Sequence, residues 1–113
     1  MATAQYYHKM FDAEIVESIQ SDGRPRIDPD LSGLTIFIGQ VAPESDTPTV
    51  PTDPYIGLDH FGLRVDNLDA AAAELKRRGA EFTVESRIIR PGVKIAYVRV
   101  PDDVRIELLE RTS

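Results

Sequence analysis

The sequence contains no cysteine. Disulfides, thiolate metal sites and cysteine nucleophiles are therefore excluded, and the chain suits a reducing cytosol, so a cytoplasmic location is expected. No apolar run approaches the length of a membrane span. The N-terminus has no basic stretch leading into an apolar core, so it does not read as a signal peptide. Positive charge is in short supply: 13 Lys and Arg face 19 Asp and Glu, a net charge of −6. That balance argues against nucleic acid, whose binding needs a basic surface, and against docking on anionic membranes. No glycine-rich phosphate loop opens a helix after a strand. With only two histidines, no serine–histidine–acid set is visible either.

What is present is ordinary for one compact domain: 113 residues, 42% hydrophobic and 28% charged. Residues 2–11 place Tyr6, Tyr7, Met10 and Phe11 at helical spacing. A strand is expected over 13–18, and a turn at Ser21-Asp22-Gly23. A short strand over 24–28 is weakened by Pro25. Pro29 and Gly33 bracket a tight turn, and Leu34–Ile38 reads as a strong strand. The stretch 41–54 carries four prolines and no apolar periodicity, which marks a linker.

The second half reads more cleanly. An alternating strand over 58–65 is followed by the cap signal Asp66-Asn67 and a helix over 68–78 that Gly79 ends. Three strands follow, over 81–85, 93–100 and 104–109, separated by Pro91-Gly92 and Pro101-Asp102-Asp103. The order is β-α-β-β-β. The first half repeats it: Asp12-Ala13-Glu14-Ile15 matches Gly79-Ala80-Glu81-Phe82, and Pro29-Asp30 precedes its strand as Pro101-Asp102 precedes the last. On that alignment the first half begins at its helix, without an opening strand. The expected organisation is one domain over 1–113, with module one at 1–40, a linker at 41–56 and module two at 57–113.

Strand alternation puts Phe61, Leu63 and Val65 on one face, towards the helix, and His60, Gly62 and Arg64 on the other. In the last strand Val104, Ile106 and Leu108 face the helix, while Arg105, Glu107 and Leu109 share the opposite face. His60 and Glu107 meet if their strands are neighbours. An imidazole and a carboxylate on one wall suit a divalent first-row metal. The alternatives are a histidine held by a hydrogen bond, and a carboxylate paired with Arg99 or Arg105 or acting as a general base. Arg64, on the face of His60, is the best candidate to bind a substrate carboxylate. His8 reads as a solvent-facing helix residue.

The segment Asp59-His60-Phe61-Gly62-Leu63-Arg64-Val65, Arg90-Pro91-Gly92-Val93 and Arg105-Ile106-Glu107-Leu108-Leu109-Glu110 resemble the second module of the vicinal oxygen chelate superfamily, also called glyoxalase/bleomycin resistance/dioxygenase-like. Tyr6-Tyr7 and Phe11-Asp12-Ala13-Glu14 resemble its first-module helix. The resemblance spans essentially the whole chain. It implies an α+β fold in which paired βαβββ modules form a cupped mixed sheet with helices outside, here with the first module lacking its opening strand. It implies a small-molecule ligand and a divalent metal (Zn, Ni, Mn or Fe) held by His60 and Glu107, serving lyase, isomerase or dioxygenase chemistry with Glu107 catalytic. The position matching Glu107 in the first module is Phe37, which cannot ligate a metal and suggests an apolar substrate-binding wall. Metal-free relatives that sequester a ligand supply the alternative reading. The uncovered edge left by the missing strand implies a homodimer.

Overall fold

The structure, a computed structural model, describes residues 2–39, 44–49 and 56–112. Residues 44–49 form no helix or strand. The rest of the proline-rich stretch lies outside the described residues. The chain is α+β and divides into two compact units, Met1–Pro48 and Thr49–Ser113.

The first unit opens with helix α1 (Ala2–Phe11), which packs Ala4, Tyr7 and Met10 against a small sheet. The helix ends where Asp12 turns left-handed (φ 57°), and the His8 Nδ1–H donates to the Ala13 carbonyl at 2.9 Å. His8 thus satisfies a carbonyl beyond the helix end, which its expected solvent-facing role did not include. The sheet is antiparallel, ordered β1 (Glu14–Ile19), β2 (Pro25–Leu31), β3 (Leu34–Thr35). No strand precedes α1 among the described residues, so the first module is the short αβββ form.

Two expectations are corrected here. Pro29 belongs to β2, in register with Ile15, and the turn is made by Ser32 and Gly33, both at positive φ (51° and 97°). Pro29 fits because its carbonyl, rather than an N–H, is what the ladder uses: it accepts from Ile36 N at 2.9 Å. The strand expected over 34–38 stops at Thr35. Beyond it the Ile38 amide donates to the side chain of Asp28 at 2.7 Å. A carboxylate from β2 has taken the place of a backbone ladder partner.

The second unit is the complete β-α-β-β-β arrangement. Its strands are β4 (His60–Arg64), β5 (Glu81–Arg90), β6 (Val93–Val100) and β7 (Val104–Arg111), with helix α2 (Leu68–Arg77) after β4. The sheet order is β4-β7-β6-β5, with β4 parallel to β7 and the other pairs antiparallel. Strand β5 is twice as long as the polar Glu85-Ser86-Arg87 run suggested. It stays paired with β6 as far as the Pro91-Gly92 turn, through several shifts of register.

Helix α2 starts where Asn67 caps it, its side chain accepting from Ala70 N at 3.0 Å, while Glu110 of β7 accepts from Leu68 N at 2.7 Å. The helix buries Leu68, Ala72 and Leu75 against Ala96, Val98, Val100, Ile106 and Leu108 of the sheet. Burying such aliphatic side chains stabilises a fold by about 1.5–3 kcal/mol each. The opposite face carries Tyr97, Arg99, Arg105 and Glu107 beside Ile95 and Leu109.

Candidate functional site

The parallel pairing of β4 with β7 sets His60 beside Arg105, Gly62 beside Glu107 and Arg64 beside Leu109. The antiparallel pairing of β6 with β7 sets Tyr97 opposite Glu107. One face of three adjacent strands therefore presents His60, Tyr97 and Glu107 together, on the side away from α2.

His60 Nε2 lies 4.0 Å from Glu107 Oε1. The Tyr97 hydroxyl stands between them, 3.2 Å from Glu107 Oε2 and 3.4 Å from His60 Nε2. The His60 and Tyr97 rings meet edge to face, centroids 5.1 Å apart. Gly62 leaves room for this: a Cβ there would already touch Glu107 Oε1 at 3.4 Å. His60 and Glu107 are 30% and 21% exposed, so a solute reaches both.

Asp59 fixes the imidazole. Its Oδ2 is 2.7 Å from His60 Nδ1, and its Oδ1 contacts the guanidinium of Arg105. The hydrogen bond from His60, with the charge of Arg105, holds the Asp59 carboxyl below the usual carboxylate range. An ionised carboxylate only accepts, so Nδ1 carries a proton, and Nε2 faces Tyr97 and Glu107. Burial, then the charge of Glu107 and its hydrogen bond, push the Tyr97 phenol above its ordinary value. Tyr97 is a neutral donor with one proton. Around it stand Nε2 of His60 and the two carboxyl oxygens of Glu107.

The strands thus bring together the two residues expected to meet, His60 and Glu107. Glu107 takes neither of the arginine partners considered for it: Arg105 turns to Asp59, and Arg99 lies 3.5 Å from Asp103 and 3.9 Å from Glu81. Arg64 is exposed on the same face and makes no ion pair among the described residues. Phe37 belongs to the first unit, 73% exposed, with the Arg26 guanidinium 4.9 Å from its ring centre. Asp59 and Tyr97 were missed. Tyr97 was within reach: a hairpin closed at Val100 and Val104 pairs 97 with 107 by counting back.

As a metal site the pair is incomplete. Donors around a first-row divalent ion sit at about 2.0–2.2 Å from it. Two donors of a tetrahedral or cis-octahedral set then lie closer together than the 4.0 Å found here. No group of three or more His, Cys, Asp or Glu able to hold a metal occurs among the described residues. The residues present do not by themselves fit a resident ion.

Solved structures with this architecture are numerous. The glyoxalase family protein of Enterococcus faecalis superposes with a TM-score of 0.73, covering 96% of this chain and 86% of that one at 26% identity. A member of the glyoxalase/bleomycin resistance protein/dioxygenase superfamily from Sphaerobacter thermophilus gives a TM-score of 0.71, with 97% and 86% covered at 20% identity. TnmS3, an antibiotic binding protein from a Streptomyces species, gives 0.69, with 97% and 84% covered at 19% identity. No family profile matches the chain, and no curated protein sequence does. The fold is that of the glyoxalase/bleomycin resistance/dioxygenase superfamily, the vicinal oxygen chelate fold, with a short first module. The solved structures sharing it include an antibiotic-binding protein.

Proposed function

We propose that the protein binds a small molecule over His60, Tyr97 and Glu107, through hydrogen bonds to these three side chains. One observation carries the reading: an imidazole nitrogen, a phenol and a carboxyl group converge on an accessible face. A ligand hydroxyl or amine placed there can hydrogen-bond to the Glu107 carboxyl group. Arg64, on the same face, is positioned to meet a carboxylate on the ligand. Phe37 is proposed separately, as an apolar ligand contact within the first unit. On this reading the chain is a metal-free binding or sequestration protein in the cytoplasm.

A metal-dependent lyase, isomerase or dioxygenase is the second reading. It is favoured by the Asp59–His60 hydrogen bond, which aims Nε2 as a metal-bound histidine is aimed. Water, ligand or another chain would have to complete the coordination by His60 and Glu107, with Glu107 as the proton-transferring carboxylate.

Catechol, with two adjacent hydroxyl donors, is the probe. Titrated into untagged protein, it is expected to shift the amide resonances of Gly62, Tyr97 and Glu107 and to lose that effect in Glu107→Gln. No shift at millimolar catechol overturns the binding reading. Elemental analysis of the same protein beside His60→Ala decides between the readings: near-stoichiometric metal that vanishes in the variant replaces the first with the second.

A homodimer is also proposed. Strand β3 is two residues long and stands at the sheet edge, where an opening strand of the module is absent among the described residues. Light scattering at micromolar concentration is expected to give twice the chain mass, and a stable monomer rejects it.

A further inference from the structure

A cavity of about 380 Å³ lies entirely within the first unit, lined by Gln20, Arg24, Arg26, Ile27 and Ile38 among others. It contains none of the residues of the His60 face, and its chemistry is different.

Arg26 is held from two sides. Its Nε donates to Asp28 Oδ2 at 2.7 Å, and its guanidinium carbon lies 4.9 Å from the centre of the Phe37 ring. Asp28 is itself fixed, 4% exposed in its side chain, with its other oxygen on the Ile38 amide. Arg26 is 27% exposed, and its two terminal nitrogens make no further hydrogen bond or ion pair among the described residues. A guanidinium so braced loses little rotamer freedom on binding and presents a planar pair of donors. Arg24 adds a second guanidinium, its Nε on Asp22 at 2.8 Å. The Gln20 side chain, likewise without a hydrogen-bond partner among the described residues, adds a carboxamide. Ile38 supplies apolar wall, and Pro25 and Ile27 also border the cavity.

We propose that this cavity binds a monocarboxylate carried on a small apolar body, the two oxygens meeting the terminal nitrogens of Arg26 and the body lying on Ile38. The geometry of the donors, rather than the charge count, selects a carboxylate. Arg24 and Arg26 are already balanced by Asp22 and Asp28, so the site attracts through aimed donors rather than excess positive charge. A dianionic phosphate finds no matching surplus of charge. Two oxygens in a plane match the fork, and isoleucine and proline match the hydrocarbon. The volume is within the range of small-ligand sites.

The proposal stands independently of the His60 face. The test is an NMR titration of the whole protein with benzoate, benzamide and inorganic phosphate. Benzoate is expected to give saturable millimolar shifts at the Ile27 and Ile38 amides, and the other two none. Arg24→Gln, at an exposed side chain, is expected to weaken benzoate about three-fold, and Arg26→Lys, which keeps the charge and removes the fork, about ten-fold or more. Should Arg26→Lys unfold the unit, Arg24→Gln still decides. His60→Ala is expected to leave benzoate binding unchanged while changing the response to catechol, which separates this site from the other. Equal binding of benzoate and benzamide, phosphate shifting the same amides as strongly, no benzoate shift at these amides, or an Arg24→Gln variant that binds like the parent overturns the proposal.

Discussion

The two units close their sheets differently. In the second, β4 comes in beside β7 and extends the sheet to four strands, with backbone ladders between all neighbours. In the first, the ladder beyond β2 lasts two residues, and a buried carboxylate finishes the work by taking the Ile38 amide. A ladder spreads its energy over many bonds. A side chain concentrates it in one residue, which must also stay ionised. Burial pushes the Asp28 carboxyl up, but the hydrogen bonds from Arg26 and Ile38 and the charge of Arg26 outweigh it and hold the group below its ordinary range. The comparison teaches that the first unit depends on one acid where the second depends on its backbone.

Replacing that acid is the hardest blow to the comparison. Asp28→Ala strands the Ile38 amide and the Arg26 guanidinium, and is expected to cost about 3 kcal/mol. Hydrogen exchange should speed up at Ile38 and along β1 and β2 more than along β6 and β7; equal acceleration of both would dissolve the contrast. Acid should imitate the substitution. The folded-state carboxyl of Asp28 is depressed, so its contribution is complete above the unfolded carboxyl value of about 4. That contribution is lost as pH falls through the lower folded value. Urea unfolding followed from pH 6 down to pH 2 should show the decline in the wild type and a smaller one in Asp28→Ala.

A backbone lesion in the other unit gives the smaller effect. Gly92 turns the β5–β6 hairpin at φ 78°, and a Cβ there would stand 2.8 Å from the Thr112 carbonyl oxygen. Gly92→Ala is expected to cost about 1–2 kcal/mol, read as a lower urea midpoint. Exchange should rise first at Thr112 and the Val93 end of β6, and spare Ile38. An Ile38 amide loosened equally by Gly92→Ala would show that the two edges are not separate devices.

The second unit was the more legible in sequence for the same reason. Its elements are set by local signals: Asn67 to start α2, Gly79 to end it, Pro91-Gly92 to turn the hairpin, β-branched and aromatic residues in Val93–Val100. Period-two alternation alone put His60 and Glu107 on one face, and the ladder then brought them together. Side chains that act as backbone are invisible to such rules. Leu34–Ile38 has every strand preference, yet nothing local says that Asp28 will take an amide ten residues on. The same holds for β5, where Ser86 and Arg87 look like an ending because their partners lie elsewhere in the chain: Ser86 donates to Asp69 at 2.8 Å. Tyr97 went unread because a tyrosine between aliphatics passes for core until the register assigns it to Glu107.

The pairing of β4 with β7 also orders events during synthesis. Strands β1, β2 and β3 are neighbours in sequence, so their contacts are short-range and form early. Among the described residues strand β4 has only β7 beside it, and β7 is the last strand of the sheet to leave the ribosome. For a delay on the order of a few seconds at ordinary elongation rates, His60, Phe61 and Leu63 belong to a strand without a neighbour. The centre is therefore absent from every nascent chain that stops short of Glu107, and it comes into being in one step when the final strand slides in between β4 and β6.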